Sequence, residues 1–440
     1  MAEKYDVIVV GAGLGGLSAA ATLAKNGQRV LLLEKHYRPG GYAGSFVRGR
    51  FEFEIALHAL SGLNLDEKRG FLYRSFEKLG IIDRVEFVKL ENIYRSVFPD
   101  LDITVPAGRE NAEGVLVDTF PHEAEGIRRF LDRMNATNRA LSMLQRGAPL
   151  SQKEIQEDLL AYKDKTLADV LNKDVKDPKA RAVLSQLMGY FGLPPSQLSY
   201  LIYATGYDTY LRYGGAQIKG TSQALANAFV DIIQEMDSDV RFNCGVNKIL
   251  TDGGSVKGVV TEAGEKIPAE YVISNVNPMT TCAKMIGVDR VPGTFFETIQ
   301  KKDIGVGTMC VYLGLDAPHT ELGIDEFETF VNTGYDFDAT WEKARTSTEP
   351  QDFAIATYNA AYPEASPPGT TAMVLTTLSY AEPWLKVPPS EYVDTKNRMA
   401  DMLLSRAEKI VPGIREHIEV IEVSTPLTNM RYTGNPGGSI

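Results

Sequence analysis

The sequence predicts an α/β protein built on a dinucleotide-binding βαβ unit, with a second, α+β domain inserted into it. Three observations predict this. Val7-Ile8-Val9-Val10 is an uninterrupted apolar run, suited to a parallel strand covered on both faces. A glycine turn follows at once, Gly11-Ala12-Gly13-Leu14-Gly15-Gly16. A second strand-like run then ends in an acid, Glu34, about twenty residues beyond the turn.

Each part has a physical role. Gly11 permits the tight turn, Gly13 lets a pyrophosphate approach the backbone, and Gly16 lets the following helix lie close against the sheet. Ala12, Leu14 and Gly15 complete the loop, and the helix, expected from about Leu14 to Asn26, turns its N–H groups and positive dipole end toward the phosphates. Gly27 stops it, and Arg29 to Leu33 is the next strand. The Glu34 carboxylate is placed to accept hydrogen bonds from ribose hydroxyls and would repel a 2′-phosphate. A second glycine pair follows in Arg38-Pro39-Gly40-Gly41. Taken alone it is an ordinary turn. A nicotinamide domain has no need of another close-approach loop there, whereas FAD, whose ribityl chain and ring system run on past the pyrophosphate, does.

The segment EKHYRPGGYAGSF resembles the entry to the phytoene desaturase, carotenoid isomerase and retinol saturase group of flavoproteins, within the amine oxidase type superfamily. The resemblance implies a Rossmann-type FAD-binding domain and adds Lys35, Gly40, Gly41, Tyr42 and Ala43 to the cofactor contacts. It continues in order along nearly the whole chain. A helix rich in serine, leucine and alanine near residue 222, then Val246-Asn247-Lys248-Ile249, then a strand ending at Ser274-Asn275, looks like the family's return to the FAD domain. That likeness implies that the Val246 backbone brackets the adenine and that Ser274 and Asn275 lie near the cofactor. One stretch departs from the commonest desaturase form: Glu54, Ile55 and Ala56 stand where that form has aspartate, glycine and proline. A histidine, as at His58, looks more like the isomerase and saturase branch.

The remaining segments set the expected organisation. Residues 1–70 and 214–288 form a discontinuous FAD-binding domain, 71–213 and 289–425 a substrate-binding domain, and 426–440 return toward the first. Ser45 to Val47 and Arg50 to Phe53 read as short strands around Gly49, and apolar spacing predicts helices at Phe71 to Leu79, Glu123 to Met143, Ser222 to Glu235 and about Ser390 to Val411. Ile93 to Leu116 reads as strands and turns. Tyr190, Tyr200, Tyr203, Tyr207, Tyr210 and Tyr213 concentrate in one stretch, which reads either as a core helix or as the wall of a cavity for an elongated apolar ligand. In the family, a closing segment like STPLTNMRYTGNPGGSI precedes a final glycine-rich FAD strand and helix. The sequence ends at Ile440 before that motif, so the expectation is a truncated or processed chain, or one whose last cofactor segment another chain supplies.

Composition narrows the partners. A formal charge of -11 over 440 residues argues against nucleic acid, whose phosphates need a basic surface. The three cysteines, Cys244, Cys282 and Cys310, are far apart and lack metal or disulfide spacing, so a reducing cytoplasm is the simplest home. Glycines interrupt the apolar run from Val7 to Leu23, which excludes it as a membrane span; peripheral membrane contact and self-association stay open.

With no nucleophile triad or metal cluster in view, the chemistry falls to the flavin. The expected function is FAD-dependent desaturation, saturation or cis–trans isomerisation of a long apolar polyene or isoprenoid. His58 is the first candidate, as a cofactor contact that orients the flavin ring or as a proton donor, with a satisfied half-buried histidine as the other reading, and Tyr207 and Tyr210 are weaker proton-handling candidates. Two other readings remain: a non-catalytic prenyl-lipid escort resembling the GDP dissociation inhibitors, and a nicotinamide-dependent dehydrogenase.

Overall fold

A computed structural model describes residues 5–440; the first four residues of the expected cofactor domain lie outside the described residues. The apolar run becomes the strand Tyr5–Val10, and it sits inside a six-stranded sheet. Its neighbours are Val30–Leu33 on one side and Lys266–Ser274 on the other, both parallel to it. Val10 is in register with Leu33 and with Ser274, so the ends of all three strands meet at the glycine turn. Asp239–Arg241 extends the parallel part, and Ser255–Thr261 and Val246–Asp252 complete the sheet as antiparallel strands.

The helix Leu14–Lys25 covers one face, packed with Thr221–Glu235 over Val7, Val9, Val30 and Leu32. The antiparallel strands cover the other face, where Ile8, Val10, Leu31 and Leu33 meet Val246, Ile249 and Val259. Burial on both faces is the reason these strands are apolar without alternation.

A second sheet of seven strands forms a separate layer. Its order is Ile418–Ser424, Gly307–Leu315, Thr371–Ser379, Phe353–Thr357, Glu328–Val331, Asn92–Phe98 and Leu101–Pro106. One face packs on the helix Tyr392–Ala407 through Met309, Val311, Leu313, Met373 and Leu375. The other face meets the hairpin Ser45–Arg48 and Phe51–Glu54, where the Phe51 ring lies so close to Gly314 that a Cβ there would stand 2.5 Å from it. Helices Ala124–Gln145 and Tyr200–Tyr213 form the core of a helical layer beside this sheet.

Two expectations are corrected. Residues 109–119 form a helix, Arg109–Thr119, where strands and turns were expected. Gly114 and sparse apolar residues hide its period, and burial of Ala112 and Leu116, one turn apart, holds it. Between residues 289 and 425 the short helices Gly293–Gln300, Phe337–Thr346 and Ala381–Leu385 join the expected strands. Among the described residues, no helix is long and apolar enough to cross a membrane, and no group of three or more His, Cys, Asp or Glu is arranged to hold a metal ion.

The tightest point of the fold is the glycine turn. A Cβ on Gly16 would stand 1.9 Å from the Gly11 carbonyl oxygen, a backbone atom with no freedom to move aside. Gly16→Ala is expected to destabilise the protein by at least ~1–3 kcal/mol, the cost of overpacking a filled interior. Urea unfolding of the variant checks this; an unchanged midpoint would refute the contact.

Candidate functional site

A cleft of about 1400 Å³ runs across the ends of the parallel strands. Pockets for small ligands span roughly 300–1,000 Å³, so this one suits a longer molecule. Its floor begins at the glycine turn. Gly11, with φ +95°, reverses the chain after Val10, and the Gly40 N–H donates to the Ala12 carbonyl at 2.8 Å, laying the second glycine loop along the first. A Cβ on Gly40 would meet the Ala43 oxygen at 2.1 Å, so this loop too accepts only glycine. The helix Leu14–Lys25 starts here with no side-chain cap and no acid in its first turn, which leaves its first N–H groups for an anion.

Gly11, Gly13, Leu14, Glu34, Lys35, Gly40, Gly41, Tyr42 and Ala43 all line the cleft. Ala12, Gly15 and Gly16 support it from behind. Glu34 holds the loops together: one carboxylate oxygen accepts from the Ala12 N–H at 2.7 Å, the other from the His36 N–H at 2.8 Å. Each oxygen keeps a further acceptor position. Val246 lines the same end of the cleft with Gly245 and Glu262. Asn275 lies over the glycine turn, its backbone N–H on the Val10 carbonyl at 2.8 Å and its side-chain oxygen where a Cβ on Gly15 would be, 2.7 Å away. Ser274 is not among the lining residues; its hydroxyl pairs with Thr281 at 2.7 Å.

The opposite end of the cleft passes Gly44, Phe46, Ile55 and Tyr312. There the structure shows three residues that sequence reasoning did not single out as site groups. Glu54, 2% exposed, accepts from both the backbone N–H and the hydroxyl of Ser222, each at 2.5 Å, at the start of the helix Thr221–Glu235. Burial pushes its pKa up to about 8, against the pull of the two Ser222 donors. Gln223 donates to the Pro39 carbonyl at 3.2 Å, and its side-chain oxygen is buried beside Gly44 without a partner. Tyr312 donates to the Ile55 carbonyl at 3.0 Å. Residues 424–435 form the facing wall, and Tyr42 donates to the Ser439 carbonyl at 2.9 Å.

The catalytic candidates lie outside the cleft lining. His58 follows Ile55, behind the cleft wall, with Nδ1 at 2.8 Å from the Tyr358 hydroxyl. Burial lowers its pKa to about 4, so the ring is neutral. Tyr207 is fully buried among the helices, its hydroxyl 2.9 Å from that of Tyr94, and burial pushes its pKa up to about 12. Tyr210 is partly accessible, its ring tilted against that of Tyr190 at 6.1 Å between centres, and has no hydrogen-bond partner for its hydroxyl among the described residues. Tyr207 thus belongs to packing, whereas Tyr210 stays partly accessible.

The uncapped helix, the two loops that a Cβ would fill, the Glu34 carboxylate and the orphaned Gln223 acceptor fit a hydroxylated dinucleotide lying the length of the cleft. Comparison with known proteins agrees. The model of the family described as flavin containing amine oxidoreductase matches residues 14–397. The chain belongs to that family. It is an FAD-dependent oxidoreductase with a Rossmann-type cofactor domain and a mixed α/β fold. Prolycopene isomerase 2 (chloroplastic) of an Oncidium hybrid cultivar is 28% identical over 463 residues, covering 100% of this chain and 75% of that protein. All-trans-retinol 13,14-reductase of Danio rerio is 24% identical, covering 100% and 77%. The crystal structure of an oxidoreductase from Methanosarcina mazei superposes with a TM-score of 0.67 at 17% identity, over 95% of this chain and 87% of that one, which shows a shared fold.

Two outcomes follow from the site. Glu34→Ala strands the Ala12 and His36 N–H groups and removes the acid at the strand tip; it is expected to lower FAD affinity by roughly 1.5–3 kcal/mol, as for loss of a charged hydrogen-bond acceptor. Titration of apoprotein with FAD measures this, and unchanged affinity would count against the role. Glu54 yields a pH test. The folded state holds its proton up to about pH 8, whereas the unfolded chain releases it near the ordinary value of 4.5, so this group makes the fold more stable as pH falls from 8 toward 4.5. Glu54→Gln cannot ionise, and its stability relative to wild type is expected to rise by on the order of 2–3 kcal/mol between pH 5 and pH 8. Equal pH dependence of the two proteins in chemical denaturation would show that Glu54 stays ionised.

Proposed function

We propose that this flavoenzyme acts on the C–C or C=C bonds of a long apolar polyene or isoprenoid, by desaturation, saturation or cis–trans isomerisation. The observation that carries the reading is the apolar end of the cleft, lined by Phe46, Ile55 and Tyr312 and backed by the interior beyond Ile55. There the hairpin residues Phe51 and Phe53 pack with Cys310, Tyr312, Ala356, Tyr358 and Val374 of the second sheet. His58 enters this apolar surface as a neutral ring. Such walls suit a ligand held by burial rather than by charge. The two curated relatives are, by name, an isomerase of prolycopene and a reductase of retinol, which favours the same substrate class here.

Bound FAD supplies the hydride exchange that such bonds require. The chain does the rest. The apolar walls align the ligand and exclude water, which gains more from positioning than any single polar contact. Tyr358 fixes the His58 ring through Nδ1, leaving Nε2 as the ring atom without a partner among the described residues. In that position His58 holds or delivers the proton that accompanies saturation or desaturation, and no net proton is needed for isomerisation. The prenyl-lipid escort reading is the weaker one, since escort of a lipid needs neither close-approach glycine loop. The second glycine loop, laid along the first, likewise disfavours a nicotinamide dehydrogenase.

The test joins a visible spectrum of purified protein to mass spectrometry of its co-purified lipid. Flavin bands together with a long unsaturated apolar ligand are expected; a colourless preparation that takes up no FAD would refute the enzyme. With a substrate in hand, His58→Ala is expected to lower turnover by about 100-fold, the usual scale of acid–base assistance, at unchanged flavin content. Parallel loss of both would return His58 to packing alone.

A further inference from the structure

Glu328 is an unusual residue for its position. It lies on the strand Glu328–Val331, near the centre of the second sheet, and is 5% exposed. Carboxylates are seldom buried without a cation, and glutamate is a poor strand former. Among the described residues Glu328 pairs with no cation. Its one hydrogen bond comes from the Tyr190 hydroxyl to Oε1, and Oε2 has no partner. Burial pushes its pKa up to about 7, so at neutral pH the group is both donor and acceptor.

The surroundings are aromatic and half open. Tyr190 is 41% exposed, yet it sits under enough protein that burial raises its hydroxyl well above the ordinary range. Tyr210 and Phe330 flank it at 6.1 and 6.2 Å between ring centres. The Tyr210 hydroxyl is partnerless and close enough to feel the Glu328 charge. Tyr358, the His58 partner, also acts on Tyr190. This aromatic cluster thus has a polar end that the rest of the fold does not use: a structural role for Glu328 would need neither an open Oε2 nor a bare Tyr210 hydroxyl.

We propose that the Glu328 carboxyl and the Tyr190 and Tyr210 hydroxyls form a subsite for the terminal hydroxyl of an otherwise apolar, unsaturated ligand. A hydroxyl both donates and accepts, and it matches this set: Tyr210 donates to its oxygen, and its proton goes to Glu328. A terminal carboxylate would be repelled by Glu328, and a hydrocarbon would leave the polar atoms buried and unmatched. This inference rests on the proposed function, in which the interior beyond Ile55 is the chamber for apolar polyenes.

The test is equilibrium titration of the FAD-loaded protein with all-trans-retinol and with the hydrocarbon that lacks only its hydroxyl, followed by the polyene's own fluorescence. Wild type is expected to prefer the alcohol by about 10-fold or more, since a site built for a hydroxyl discriminates against its absence. Tyr210→Phe removes a hydroxyl with no internal partner and is expected to cut the preference by about 3- to 10-fold. Adding Glu328→Leu is expected to erase it, with circular dichroism and flavin content reporting the integrity of each variant. Equal wild-type affinity for the two probes, or a preference untouched by Tyr210→Phe, overturns the subsite while leaving the apolar chamber standing. Binding of neither probe overturns the chamber as well. Tighter binding of the corresponding primary amine would make the ligand a cation and also overturn the proposal.

Discussion

The close approach of Gly16 to the Gly11 carbonyl is the contact on which this molecule depends. Because no side chain stands between them, the helix Leu14–Lys25 descends directly onto the sheet and aims its first N–H groups across the strand ends. The same economy of side chains at Gly40 lets a second loop lie along the first. The cleft is therefore a property of backbone packing, made where atoms are missing rather than where a reactive group is present. Asn275 seals the arrangement from the far strand, its side chain occupying the space that Cβ atoms on Gly13 and Gly15 would take.

A second clamp connects cofactor layer and substrate layer. Glu54 ends the hairpin that packs on Gly314 of the large sheet, and it also caps the helix Thr221–Glu235 of the cofactor layer through Ser222. A buried carboxyl in that position registers the two layers against each other, because its two donors belong to one residue at one helix end. Behind it the interior is kept neutral: burial lowers His58 and raises the tyrosines, so neither carries charge at ordinary pH. Burial of this kind costs free energy unless hydrogen bonds are kept, and the His58–Tyr358 and Tyr94–Tyr207 pairs keep them.

Legibility in the sequence followed the range of the interactions. The first strand, the glycine turn, the helix after it and Glu34 are local, and each residue type there answers a local steric or hydrogen-bonding demand. The helix Phe71–Leu79 was equally legible from its apolar spacing. By contrast, the helix Arg109–Thr119 is held by tertiary burial of two residues and has no clear period of its own. The tyrosine stretch was ambiguous for a good reason: Tyr200, Tyr203 and Tyr207 are core, while Tyr190 and Tyr210 keep accessible surface, so residues of one segment differ in burial.

By itself the sequence determined the fold class, through a glycine turn between an apolar strand and a helix followed by an acid, and the cofactor class, through the likeness of its second glycine loop to that of a flavoprotein family. The tertiary structure alone decided which distant residues share the work. Glu54 meets Ser222, His58 meets Tyr358 and Tyr190 meets Glu328 across 168, 300 and 138 positions of chain. No local pattern encodes such meetings, because they depend on how two sheets and a helical layer stack, and only the folded packing brings those side chains to one place.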